Sequence, residues 1–190
     1  MWSVTDIMEA YEVCDRLNLI RPICEQPVYN LLERERMEKE YLPFFDRFNM
    51  GTTIYSPLAG GFLTGKLLKE IPKDSRTSSN PVFKSIFYDP YMTETTKETS
   101  IARIKGLQEI AKELKCTISQ LAIAWTLKNQ DVSTTLIGTA NLKQLEENVI
   151  ALKLYKSLSP EILEKIEKVF NNRPQPQINW RTGTLYPPRR

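Results

Sequence analysis

The sequence contains no histidine and only three cysteines among its 190 residues. Without an imidazole, no Ser-His or Cys-His nucleophilic couple can be assembled, and a zinc site would depend on cysteines and carboxylates alone. Cys14, Cys24 and Cys116 form no CxxC pair and leave an odd count, so they read as buried free thiols rather than a disulfide framework. Also missing is any run near the ~20 apolar residues that span a bilayer. The first ten residues lack the basic start and apolar stretch of a secretory signal. These absences point to a cytosolic chain that does not insert into a membrane. Charge of one sign is scarce too: 26 Lys plus Arg face 23 Asp plus Glu, and a net +3 is too slight to indicate nucleic acid. What is present, 41% hydrophobic and 26% charged residues, supports one globular core and excludes collagen-like or wholly disordered chains.

Apolar residues at Val4, Ile7, Met8, Tyr11, Cys14 and Leu17 follow the three-and-four spacing of a helix with one face toward a core. Arg21-Pro22 breaks it, and Ile23 to Gln26 suits a short buried strand before Pro27. Met37, Tyr41, Phe44, Phe45 and Phe48 predict a second helix, whose first turns Pro43 breaks or offsets. Gly51 to Ser56 is β-rich and stops at Pro57, giving a second strand. The stretch from Ser56 to Ser100, with its glycines, prolines and polar cluster, reads as a long functional or disordered loop. Helical periodicity returns at Ile101 to Leu114 and at Ile118 to Trp125, the latter opened by a Thr117/Gln120 capping box. Ser133 to Gly138 gives a third strand, Asn141 caps a helix through Leu142, Leu145, Val149 and Leu152, and Ser159-Pro160 starts a last one. From Arg173 the Pro- and Arg-rich composition predicts a flexible tail over residues 173–190.

This alternation forces parallel strands joined by helical crossovers. A parallel sheet must be covered on both faces or closed into a barrel, so three short strands among this many helices read as part of a larger β/α assembly with raw sheet edges.

Polar and glycine-rich residues close each predicted strand: Glu25-Gln26, Tyr55-Ser56 and Gly138-Thr139. In β/α barrels ligands bind at the carboxyl ends of strands, where loops and helix N-termini converge. On spacing alone, polar residues that merely mark strand ends explain the pattern as well. The run Ser56-Pro57-Leu58-Ala59-Gly60-Gly61 followed by Thr64-Gly65-Lys66 allows backbone amides to approach an anion, with Lys66 and, further on, Arg76 as cations for phosphate. It is not a Walker loop, because Leu67 follows Lys66. A solvated glycine turn is the plainer reading of that run by itself. Gly138, which ends a strand just before a helix, is followed by Gln144, Glu147 and Asn148 on one helical face. Solvent-facing polar residues on a surface helix are the plainer reading of these by themselves.

Taken together, Trp2-Ser3, Pro22-Ile23-Cys24-Glu25-Gln26, Tyr55 to Gly61, Thr64-Gly65-Lys66, Ser75-Arg76, Gln120 to Trp125 and Gly138…Gln144…Glu147-Asn148-Val149 closely resemble the C-terminal half of the aldo-keto reductases. Within that superfamily they look most like the β subunits of voltage-gated potassium channels. The resemblance covers residues 1–172. It implies an α/β fold, the C-terminal part of a (β/α)8 TIM barrel with about three strands and an incomplete barrel, that binds NADP(H) in an extended pose. Carried over position by position, Gln26 would bond the nicotinamide carboxamide region and Tyr55 would stack on the ring. Ser56, Pro57, Leu58, Ala59 and Gly60 would wrap the pyrophosphate, with Lys66 and Arg76 turned toward phosphate. Gly138, Gln144, Glu147 and Asn148 would hold the adenosine end. Tyr55 stands where the channel β subunits carry Trp, Ala140 where they carry Ser, and Asp74 where they carry Tyr.

The family's catalytic Asp, Tyr, Lys and His or Asn belong to the first half of the barrel, so the resemblance implies no catalytic residue here and an inactive chain as written. It further implies a regulatory protein that docks on the cytoplasmic assembly domain of a potassium channel α subunit, peripheral to the plasma membrane, as a homotetramer. A carbonyl reductase lacking its catalytic half and a non-functional fragment are the alternatives.

Overall fold

The structure, a computed structural model, describes residues 1–73 and 75–187. Asp74, one of the departures noted above, and the last three residues of the tail lie outside the described residues.

Helix α1 (Val4–Arg16) starts at Ser3, whose hydroxyl accepts the Asp6 amide while the Asp6 carboxylate accepts the Ser3 amide. This reciprocal cap satisfies two otherwise orphaned donors. Ile7 and Tyr11 turn its apolar face inward. Strand β1 (Cys24–Glu25) follows. The second predicted helix is offset in the way Pro43 requires: a π-helical turn (Arg36–Glu40) precedes α2 (Leu42–Phe48), where the ring, which has no N–H to donate, sits in the first turn. Strand β2 (Gly51–Ile54) comes next.

Residues 56–100 correct the sequence expectation of a long loop. The chain turns through 3₁₀ segments at Ala59–Thr64 and Lys66–Leu68, then α3 (Arg76–Ser79), α4 (Pro81–Phe87) and a further 3₁₀ turn at Asp89–Tyr91. Each helix is too short for apolar periodicity to register, but their caps are legible afterwards: Ser75 accepts the Ser78 amide, and Asn80 accepts that of Phe83 ahead of Pro81. Then come α5 (Lys97–Glu113), α6 (Ile118–Thr126) with the expected Thr117/Gln120 capping box, and strand β3 (Val132–Thr135). The Asn141-capped segment is two helices, α7 (Leu142–Val149) and α8 (Ala151–Ser157), and α9 (Pro160–Phe170) begins after Ser159. The segment read as a flexible tail carries a short antiparallel pair, β4 (Ile178–Asn179) with β5 (Thr184–Leu185).

β1, β2 and β3 form one parallel sheet in that order, with Cys24 opposite Gly51 and Ile54 opposite Thr135. Pairing continues past the strand ends, where the Tyr55 amide donates to Pro27 O (3.0 Å) and the Leu136 amide to Ile54 O (2.8 Å). The core lies between sheet and helices and is filled by Trp125, Tyr29, Tyr41, Phe44, Phe62 and Phe170, all fully buried. Two expectations of burial are corrected. β1 is not buried: Ile23 is 80% exposed and Cys24 is exposed, because β1 is an edge strand of the described sheet. The thiols of Cys14 and Cys116 are half-buried rather than buried, although all three cysteines are free. No helix among the described residues is long and apolar enough to cross a membrane.

Candidate functional site

The carboxyl ends of β2 and β3 open into a cleft of about 870 Å³, within the ~300–1,000 Å³ of small-molecule and cofactor sites. Three stretches of chain meet there.

The first is the turn after β2, with Tyr55, Ser56, Pro57, Leu58, Gly60 and Gly61 on the lining. Its backbone is unusual. Ser56 and Ala59 take the left-handed conformation at φ +53° and +47° although neither is glycine, which costs about 1–3 kcal/mol each unless the surroundings impose it. The imposing contact is Asn30, fully buried, whose Nδ2 donates to Ser56 O (3.0 Å) while its Oδ1 accepts the amides of Leu32 and Glu33. The Ala59 amide donates to the same Ser56 carbonyl (3.0 Å). Gly60, at φ +62°, could carry no side chain, since a Cβ there would fall 2.5 Å from Phe87 Cβ.

The second stretch supplies the cations. Lys66 and Arg76 are exposed and line the cleft beside Thr64, Ser75, Thr77 and Phe83. The Arg76 guanidinium lies 4.4 Å from the centre of the Phe83 ring.

The third stretch is the turn from β3 into α7. Gly138, Thr139, Ala140, Gln144, Glu147 and Asn148 line the cleft, and an added Cβ at Gly138 would meet nothing within 4 Å. A ligand can therefore approach that backbone closely. Asn141 caps α7 through the Gln144 amide (3.0 Å), and Gln144 Oε1 in turn accepts the Ala140 amide (3.0 Å). Gln120, nearly buried in α6, donates to Glu147 O (2.9 Å) and so fixes α7 against α6.

Of the thirteen residues singled out by sequence, eleven line this cleft. Ala59 is fully buried beneath the turn, and Gln26 is exposed at the end of β1, outside the lining. Sequence reasoning missed Asn30, Phe83 and the start of α6, where Thr117, Ile118 and Ser119 join the wall. Asn30 left one signal, a lone amide just after a strand in an otherwise apolar run, which is the composition of a side chain that bonds its own turn. Phe83 left none.

Elsewhere in the core lies a buried ion cluster. Arg34, with a side chain 1% exposed, bonds Glu38 (2.7 Å) and Glu167 (2.8 Å), and stacks 5.2 Å from the Trp125 ring. Burial works against its charge, yet hydrogen bonds and attraction from Glu38 and then Glu167 hold its pKa above the ordinary arginine value. Tyr91, whose hydroxyl donates to Glu33 (2.8 Å), is held neutral, first by burial and then by that carboxylate.

Parallel strands, helical crossovers and a cleft at the strand ends define the class: a segment of a β/α barrel. The model of the aldo/keto reductase family matches residues 2–171, and the chain belongs to that family. It is 39% identical over 181 residues to a protein of Oryza sativa subsp. japonica named "Probable voltage-gated potassium channel subunit beta", an alignment that covers 95% of this chain and 53% of that one. A Schizosaccharomyces pombe protein, "Putative voltage-gated potassium channel subunit beta", is 40% identical over 173 residues, covering 91% and 49%. An Arabidopsis thaliana protein of the same description as the rice one is 39% identical over 181 residues, covering 95% and 53%. The chain spans about half the length of these curated relatives.

Proposed function

We propose that the cleft binds NADP(H), laid across the carboxyl ends of β2 and β3, and that the chain is part of a regulatory β-type subunit of a voltage-gated potassium channel. The observation that carries the first half is the convergence of the strained Tyr55–Gly61 turn, two cationic side chains and the N-terminal turn of α7 on one cleft. The residues fit the group. Amides at a glycine that opens into empty space and at a helix start favour a phosphate chain, and Lys66 and Arg76 offset its charge. Tyr55 presents an aromatic face for a nicotinamide ring, with Gln26 beyond the lining toward the carboxamide. Gln144, Glu147 and Asn148 offer donors and acceptors for ribose and adenine. When bound, the cofactor supplies a hydride-donating ring; the residues named here orient it and exclude water around its phosphates.

The names of the relatives support the second half. The partner is then the cytoplasmic assembly domain of the pore-forming subunit, the complex lies at the cytoplasmic face of the plasma membrane, and the β-type subunits form a fourfold ring.

Titration of the full chain with NADPH, followed by quenching of protein fluorescence, tests the cofactor reading. Saturable binding is expected, together with a raised thermal midpoint, since a ligand at a hundredfold excess over its Kd stabilises by about 2.7 kcal/mol. A chain that unfolds cooperatively but shows no saturation at millimolar NADPH overturns it. Co-purification with a channel assembly domain, and its loss in a clean pull-down, decides the partner separately.

A further inference from the structure

Past the middle of α9 the chain changes character. From Lys168 onward it holds the cations Lys168, Arg173, Arg181, Arg189 and Arg190 and no carboxylate side chain. The family match ends at residue 171 and accounts for almost none of this stretch. The hairpin of β4 and β5 lies within it. Ile178 stands opposite Leu185 and Asn179 opposite Thr184, and directly opposed residues share one face of such a pair. The turn is fixed locally: Asn179 Oδ1 accepts the Arg181 amide (3.1 Å), Asn179 O accepts the Gly183 amide (2.8 Å), and Gly183 takes φ +71°. By alternation Gln177 and Tyr186 fall on the other face, where the Tyr186 amide donates to Gln177 O (3.1 Å) and the ring packs on the core. The outward pair is bare. Ile178 is 45% exposed, Leu185 56%, and Trp180 in the turn 86%. A groove of about 490 Å³ between the hairpin and Pro43 of α2 has Arg181 as its one charged residue among those described.

We propose that this hairpin is a peripheral docking site for an anionic phospholipid bilayer, with Ile178, Trp180 and Leu185 seated at headgroup level and Arg181 beside the lipid phosphates. Tryptophan suits that boundary, because its ring is apolar while its indole N–H needs a polar partner. A segment with cations and no carboxylates gains from a negative leaflet. Arg173 already pairs with Glu167 (3.2 Å), whereas Arg181 is exposed. A protein partner fits less well: strands of two residues offer too little edge for strand addition, and a groove with one charged residue cannot specify an acidic peptide. Attachment of this kind is reversible and stays at the surface, since one weak signal anchors only marginally. The inference goes beyond the cleft and needs no cofactor.

The test is co-sedimentation of the full chain with vesicles of phosphatidylcholine alone, or of one part phosphatidylserine to three of phosphatidylcholine. Binding to the anionic vesicles is expected, weakened by added salt, with far less on the neutral ones. Arg181→Gln is expected to lower the partition onto anionic vesicles about fivefold, the effect of one cation near such a surface. Phosphatidylcholine brominated on its acyl chains, mixed into the anionic vesicles, is expected to quench the fluorescence of the bound chain, and Trp180→Phe to remove most of that quenching. Should Trp180→Phe not fold, Leu185→Ser is the second variant and is expected to weaken the partition. No sedimentation with anionic vesicles at low salt overturns the proposal. So does quenching unchanged in Trp180→Phe, or partition unchanged in Leu185→Ser, since another surface then meets the lipid. Sedimentation that depends on Arg181 without bromine quenching would mean that the patch recognises negative charge alone, as on an acidic protein, and overturns it as well.

Discussion

Asn30 does three things with one amide group: it satisfies two N–H donors of its own turn and holds the Ser56 carbonyl. Truncation to Ala strands those partners in a buried site, which costs about 1–3 kcal/mol, and frees the strained turn. Asn30→Ala is therefore expected to lower the unfolding free energy read from urea denaturation by that amount and also to weaken NADPH binding. Arg34 is a harsher case. Replacing it by Met removes the cation shared by Glu38 and Glu167, each with a side chain 9% exposed, although Glu167 keeps its ion pair with the half-exposed Arg173 (3.2 Å). A loss of about 3–5 kcal/mol is expected by denaturant unfolding, and a loss below about 1 kcal/mol would contradict the burial described. Sequence signals at most that Asn30 bonds its own turn, and neither its hold on Ser56 nor the pairing of Arg34 can be read there. Arg34 is separated from Glu167 by 133 positions, and no local pattern reports a contact that distant. Lys66, Gln144 and Glu147 were legible, because each stands a short fixed distance from a strand end whose polarity already marked the mouth.

Element by element, the strongly capped or periodic pieces were legible and the short ones were not. The Thr117/Gln120 box and the Ser159-Pro160 start stand where their chemistry places them. α3 and α4, with four and seven residues, are held by their caps, and α4 also by packing on Gly60, rather than by any repeat. The cap of α1 yields a pH prediction. The Ser3 hydroxyl, then the Ser3 amide, holds the Asp6 carboxyl below its ordinary value of 3.8. The folded state therefore favours the carboxylate, so its contribution is complete well above pH 3.8 and is lost as pH falls through the lowered folded value. Asp6→Ala is expected to be less stable than the parent at pH 7 and to match it near pH 2 in paired denaturation curves. α7 and α8 give a different lesson: Leu142, Leu145, Val149 and Leu152 keep helical spacing yet are 68%, 39%, 46% and 56% exposed. Periodicity identified an apolar face but not what covers it. Leu145→Lys is expected to change stability by under about 0.5 kcal/mol and to reduce the binding of a hydrophobic dye.

At the scale of the molecule, the order of helices and strands and the parallel pairing follow from alternation alone, since two parallel strands cannot be joined without a crossover. Exposure of β1 was harder to foresee, because a run such as Ile23-Cys24 looks the same on a covered strand and on a bare one. The sheet has one strand at each margin, and all its strands point the same way. A copy that docks by strand pairing can set like margins together about a two-fold, as antiparallel neighbours, which closes as a dimer, or set its β1 margin beside another copy's β3 margin, head to tail, which elongates unless it returns on itself as a ring. Light scattering of concentrated chain should distinguish closed from open assembly, as a plateau or as steady growth.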